Sequence, residues 1–165
     1  MDFAFSTKVE ELRKELLDFM DGSVYPAEPI YYDQVRSSTD PHAHPPIMEE
    51  LKVEARKRGL WNLFLPDERW GAGLTVSEYA PLAEISGWSP GIAPEAMNCS
   101  APDTGNMEIL AEYGTPEQQE RWLQPMLEQH SRSAYSMKST VSRVPRLLCC
   151  KFWSNAAKSR AVMTW

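Results

Sequence analysis

Residues 101–123 read Ala101-Pro102-Asp103-Thr104-Gly105-Asn106-Met107-Glu108-Ile109-Leu110-Ala111-Glu112-Tyr113-Gly114-Thr115-Pro116-Glu117-Gln118-Gln119-Glu120-Arg121-Trp122-Leu123. The run to Tyr113 ends at Gly114, where a glycine that closes a helix belongs. Thr115-Pro116-Glu117-Gln118 then combines an N-cap hydroxyl, a first-turn proline and a capping-box glutamine, and launches Trp122, Leu123, Met126 and Leu127 at helical spacing. The stretch therefore predicts two helices joined by a one-glycine turn.

Toward the N-terminus the same grammar recurs. Thr7-Lys8-Val9-Glu10 has the form of a capping box, and Val9, Leu12, Leu16, Leu17, Phe19 and Met20 follow before Gly22, which predicts a first helix ending there. Residues 36–46 are a polar, proline-bearing loop, after which Ile47, Met48, Leu51 and Ala55 predict a second helix that stops at Gly59. Thr75-Val76-Ser77-Glu78 is another capping box, opening a helix through Tyr79, Leu82, Ala83 and Ile85 that Pro81 bends without abolishing. No strand-like alternation of useful length occurs before residue 130. The fold class expected is all-α, an up-and-down helical bundle joined by turns and one longer loop.

Charge divides the chain. Residues 1–137 carry 23 acidic and 11 basic residues, whereas 138–165 carry six basic residues and no acidic one. Such asymmetry fits a basic tail, a segment folded on an acidic partner, or foreign sequence. The tail shows no strand alternation and is expected to be irregular. Three cysteines, Cys99, Cys149 and Cys150, form no CxxC pair and no even framework, which suits a reducing compartment. Acidic residues Asp2, Glu10, Glu11, Glu15 and Asp18 argue against a leader peptide, and no apolar run approaches the ~20 residues of a membrane helix. A cytoplasmic protein without a membrane span is the expectation.

Candidate chemistry is sparse. His42 and His44 form an HxH pair among prolines without a third ligand at metal spacing, and His130 reads as a solvated helix-end residue. Lys52, Arg56, Lys57 and Arg58 resemble a phosphate patch, but cations near a helix C-terminus are favoured by the macrodipole alone. Two glycines in 67–73 make no dinucleotide loop. Glu10, Glu11, Glu49, Glu50, Glu117 and Glu120 fall on exposed positions, where nothing tunes a carboxylate into a general base. Six Trp and eight Met suggest that the bundle's faces meet something besides one another, which is the basis for an alternative reading as a non-enzymatic interaction module.

Ala101 to Glu108, Gly114 to Leu123, Ser133-Ala134-Tyr135-Ser136-Met137, and Gly59-Leu60-Trp61-Asn62-Leu63-Phe64-Leu65-Pro66 together resemble the N-terminal helical domain of an acyl-CoA dehydrogenase. The resemblance covers residues 1–137, and 138–165 stand apart as a second, atypical segment. It implies a domain that, with a middle β-domain and a C-terminal helical domain, encloses FAD and an acyl-CoA thioester. It implies α,β-desaturation of that thioester, with an electron-transferring flavoprotein as redox partner; homo-oligomerisation is left open. It places Tyr135 and Met137 at the start of the flavin-contacting segment. It also places Ser100, Asp103 and Thr104 near the acyl chain, although their residue types alone favour oxygen caps at a helix N-terminus.

The pattern breaks at Lys138. Where the family carries a small hydroxyl, then Glu-Pro and a later Ser-Asp, this chain has Lys138-Ser139-Thr140-Val141 and neither acidic element. Lysine offers only donors. No residue matches the family's proton-abstracting glutamate, so no catalytic residue is assigned and the isolated chain is expected to be inactive. The tail reads as a frame-altered or fused segment in preference to a nucleic-acid arm.

Overall fold

The computed structural model describes residues 4–40, 44–136, 149–154 and 161–164, those from 135 onward by their backbone. They fall into two units, Met1–Ser100 and Ala101–Trp165. The described residues are mostly helical, as expected.

In the first unit, α1 (Thr7–Phe19) is capped one residue earlier than the sequence suggests: the Val9 N–H donates to Ser6 Oγ at 3.4 Å. Val9, Leu16 and Phe19 are buried along one stripe. The helix does not stop at Gly22. It passes through a π-helical turn, Met20–Val24, directly into α2 (Tyr25–Ser37). A glycine ends a helix by adopting the left-handed conformation, and Gly22 is not among the glycines with positive φ.

Pro26 explains the wide turn. A proline inside a helix has no N–H to donate and its ring crowds the carbonyl four residues back. Here the Tyr25 N–H reaches the Met20 carbonyl, five residues back, so the turn widens just before the proline arrives.

Helix α3 (Pro46–Lys57) buries Met48, Leu51 and Ala55 and is joined to α2 by the Ile47 N–H donating to Gln34 Oε1 at 3.1 Å. It ends where expected. Gly59 lies at φ +70°, the Leu60 N–H donates to the Ala55 carbonyl at 2.9 Å, and the Gly59 N–H donates to the Arg56 carbonyl at 3.1 Å. This pairing satisfies carbonyls that the helix terminus would otherwise leave open.

Helix α4 (Val76–Ser86) begins in the predicted capping box and runs through Pro81. The Thr75 N–H donates to Glu78 Oε2 at 3.0 Å and the Glu78 N–H to Thr75 Oγ1 at 3.3 Å. The Thr75 main-chain donor, followed by its hydroxyl, holds the Glu78 carboxyl below its ordinary pKa. Ser6 Oγ also donates to Glu78 Oε1 at 3.3 Å, tying the starts of α1 and α4. A short α5 (Ala93–Ala96) completes the unit, whose core includes Leu16, Phe19, Met20, Met48, Leu60 and Leu82.

The second unit begins with α6 (Asp103–Tyr113), then α7 (Pro116–Gln118), a π-helical turn Gln119–Leu123 and α8 (Gln124–Leu127). The Thr115/Gln118 capping box forms as predicted. This π turn again precedes a proline, Pro125, with the Gln124 N–H reaching the Gln119 carbonyl. Gln119 Nε2 donates to the carbonyls of Leu110 and Ala111 at 3.2 and 3.1 Å, closing the end of α6.

Strand β1 (Ser131–Ser136) follows, pairing antiparallel with β2 (Cys149–Ser154), which pairs with β3 (Ala161–Thr164). Strands β2 and β3 lie in the segment after Met137, where the sequence offers no alternation. Ladder bonds are made by the main chain and do not require alternation, while Phe152, Trp153 and Val162 are residue types that suit pleated backbone.

Gly114 serves as the α6 C-cap for a reason other than the one its position suggests. Its backbone is extended, at φ −70° and ψ 141°. A Cβ there would lie 2.4 Å from the Leu110 carbonyl oxygen, whereas one on Gly22 would meet nothing within 4 Å. Gly114→Ala is therefore expected to destabilise by about 1–3 kcal/mol. Gly22→Ala should stabilise by roughly 0.5–1 kcal/mol. Urea unfolding midpoints of the two variants, moving in opposite directions, check both.

Candidate functional site

The buried carboxylate of Asp103 organises the second unit's polar interior. Asp103 occupies the first turn of α6, whose N-cap, Pro102, has no side chain that can cap it. The Asp103 side chain reaches across to β1. Its Oδ1 accepts from the Ser133 N–H at 2.6 Å and from Ser133 Oγ at 2.5 Å, and Ser133 Oγ in turn accepts from Asn106 Nδ2 at 2.7 Å. Asp103, Asn106 and Ser133 are 8%, 3% and 8% exposed. The capping role favoured by residue type is thus corrected for Asp103: its oxygen takes donors from a strand, because a polar group at this depth needs hydrogen-bond partners.

Thr104 is half-buried beside Asp103, and Ser100, also half-buried, ends the first unit. Tyr135 lies in β1 opposite Cys150. Met137 lies outside the described residues. Asn106 and Ser133 carried no assigned role in the sequence, and no local pattern links them to Asp103.

The candidate cation patch resolves into packing. Lys52, 6% exposed, pairs with Glu49 at 2.7 Å and Glu95 at 3.6 Å. Arg58 bridges Glu54 at 2.8 Å and Glu15 at 3.2 Å, Lys57 meets Glu54 at 3.7 Å, and the Arg56 guanidinium lies 4.0 Å over the Trp61 ring. The Glu54 hydrogen bond holds the Arg58 pKa above its ordinary value. Each of the four cations is therefore engaged within the protein. His130 is exposed with Nδ1 3.1 Å from a Glu128 oxygen. His44 is exposed, and its partner His42 lies outside the described residues, among which no three potential metal ligands converge.

The helix order and the α6 to β1 connection have a counterpart among known proteins: a family model described as acyl-CoA dehydrogenase, N-terminal domain, matches residues 6–130. The chain belongs to this family. It is 56% identical over 139 residues to probable acyl-CoA dehydrogenase FadE2 of Mycobacterium tuberculosis, covering 83% of this chain and 33% of that protein. It is 48% identical over 137 residues to mouse acyl-CoA dehydrogenase family member 10, covering 80% of this chain and 13% of that one. A solved Mycobacterium abscessus structure assigned to the acyl-CoA dehydrogenases superposes with TM-score 0.76 at 39% identity, over 92% of this chain and 42% of the other. The chain thus spans a third or less of these two relatives' length. Among its described residues, no helix is long and apolar enough to cross a membrane.

The donor set of this acyl-CoA dehydrogenase segment does not complete a flavin cradle. The backbone of Tyr135 and Ser136 is paired with Cys150 and Cys149 of β2. Beyond it the sequence supplies Lys138 in place of a small hydroxyl, and neither Glu-Pro nor Ser-Asp.

The first unit contains a second buried polar pair that sequence reading passed over. Asn62 and Asn98 both lie at φ 56°, and Asn98 Nδ2 donates to Asn62 Oδ1 at 2.7 Å. Asparagine tolerates the left-handed conformation better than most residues. The Asn62 N–H also donates to the Met97 carbonyl at 3.1 Å, so the pair locks the loop after α3 to the end of α5.

Beside Asn98, Cys99 keeps some accessible surface, yet burial of its thiol pushes the pKa up to about 11, against a hydrogen bond from Tyr79 and main-chain bonds at Phe64 and Leu63 that lower it. The folded state therefore holds this proton more tightly than the unfolded one. Its contribution is fully present below about pH 9 and lost as pH rises through about 11, amounting to roughly 2–3 kcal/mol. Iodoacetamide at pH 8 should leave the Cys99 peptide unlabelled in folded protein and labelled in urea, read by mass spectrometry. Cys99→Ala should flatten the alkaline decline in stability.

Proposed function

We propose that residues 6–136 act as the helical N-terminal part of an FAD-dependent acyl-CoA dehydrogenase that desaturates acyl-CoA thioesters at the α,β carbons. The carrying observation is the family match running through α6, α7 and α8 up to β1, with the buried Asp103–Ser133 contact joining the first and last of these elements. When bound, the flavin supplies the hydride acceptor. In this reading Asp103 and Thr104 at the start of α6, with Ser100 ahead of the helix, belong near the acyl chain, and β1 carries the chain toward the flavin at Tyr135 and Met137. An electron-transferring flavoprotein is the redox partner that the family reading implies.

The 165-residue polypeptide by itself is not a catalyst in this reading. It has no residue matching the proton-abstracting glutamate, and the sequence after Met137 lacks the family's flavin contacts. Residues 138–165 are read as a frame-altered or fused segment. Translation of the coding DNA after codon 137 in the other two frames should show Glu-Pro followed by Ser-Asp.

Two preparations test the proposal. The purified chain should be colourless after gel filtration and inert toward acyl-CoA with an artificial electron acceptor. A chimera in which residues 1–136 replace the equivalent part of the Mycobacterium tuberculosis relative should be yellow and oxidise acyl-CoA. A yellow, active isolated chain would overturn the inactivity, and a folded chimera that holds no flavin would overturn the family role.

A further inference from the structure

We propose that β1 is a preformed strand-docking edge: α6 holds it in place from one side, and the chain's own tail strand β2 occupies the other. The sheet is ordered β1-β2-β3, so among the described strands β1 has one ladder neighbour and one outer edge. The outer edge is where α6 takes hold. Ser133 stands opposite Phe152 in the ladder, yet its N–H donates to Asp103 Oδ1 at 2.6 Å. Along an antiparallel strand successive residues turn their main-chain groups to alternate sides. Ser133 therefore turns its N–H away from β2, while Arg132 and Ala134, opposite Trp153 and Lys151, turn theirs toward it.

The side chain doubles the hold. Ser133 Oγ donates to the same Asp103 oxygen and accepts from Asn106 Nδ2 at 2.7 Å, and all three residues are buried. These bonds come from one helix and involve no residue of the tail, so the grip on β1 and the ladder to β2 are separable. A strand edge offers its row of donors and acceptors to an extended segment, and main-chain bonds hold whatever docks there. Here buried bonds to α6 order the edge before any strand arrives. The occupant in this chain is Cys149–Ser154, six residues that meet β1 one to one from Ser131↔Ser154 to Ser136↔Cys149.

Amide hydrogen exchange of the full 165-residue chain, read residue by residue by NMR, tests this without flavin or acyl-CoA. Lys151→Pro places a residue with no N–H in the central strand, between Ala134 and Val162, where the ladder does not accommodate it. Exchange at Arg132 and Ala134 should then quicken at least about tenfold, while exchange at Ser133 changes less than about threefold. Asp103→Ala should quicken Ser133 at least about tenfold with β2 still paired; if that variant fails to fold, the Lys151→Pro comparison decides alone. Ser133 quickening together with Arg132 and Ala134 in Lys151→Pro would mean that the tail orders β1, and overturns the proposal. So does a loss of helical circular dichroism in that variant, unchanged exchange at all three amides, or a folded Asp103→Ala chain in which Ser133 keeps its protection.

Discussion

A carboxylate taken out of water must be met by donors, and Asp103 meets two of them on one residue of a strand that the chain reaches only after two further helices and a π turn. That demand shapes the second unit. Helix α6 has to end early enough for α7 and α8 to turn back, which Gly114 allows by letting the backbone pass close to the Leu110 carbonyl. Gln119 then closes the open carbonyls of α6, and the chain returns so that Ser133 arrives beside the helix start. Apolar burial at Met107, Leu110, Leu123 and Met126 drives the association, but it discriminates only weakly against a two-residue slip of the strand, which keeps each residue on its face. The polar contact selects one residue, Ser133.

What was legible in the sequence was local. The boxes at Thr75 and Thr115 formed as read, because every partner in them lies within three residues. Gly59 ended its helix because the next residues could complete the terminal bonds. Gly22 was misread for the complementary reason: its backbone takes no left-handed turn, and the π turn carries the helix past it into α2. Ser6 displaced Thr7 because two adjacent hydroxyls offer the same chemistry and spacing alone does not choose between them. The Asp103 contact could not be read at all, since no periodicity links residues separated by two further helices and a π turn.

Charge shows the same limit. Four cations at the end of α3 look like a binding surface in one dimension, and in three they are consumed by Glu15, Glu49, Glu54, Glu95 and the face of Trp61. Glu95 and Glu15 come from α5 and α1, so the patch is internal mortar between helices. The family assignment came from a different kind of signal, an ordered series of short motifs, and so was available before any contact was known. Its weakest part in the sequence, the segment after Met137, is also where the chemistry of the residues departs from a flavin site.

The two π turns bear on how this family can change in length. In a regular α-helix one inserted or deleted residue rotates everything beyond it by about 100° and turns the buried stripe to solvent. A π turn takes up one additional residue within a widened loop of backbone, so the helix on either side keeps its facing. Among the described residues, Met20–Val24 and Gln119–Leu123 are therefore points in these rods where one residue can be lost without re-aiming the core. Pro26 and Pro125, one turn on, bias each toward the longer form.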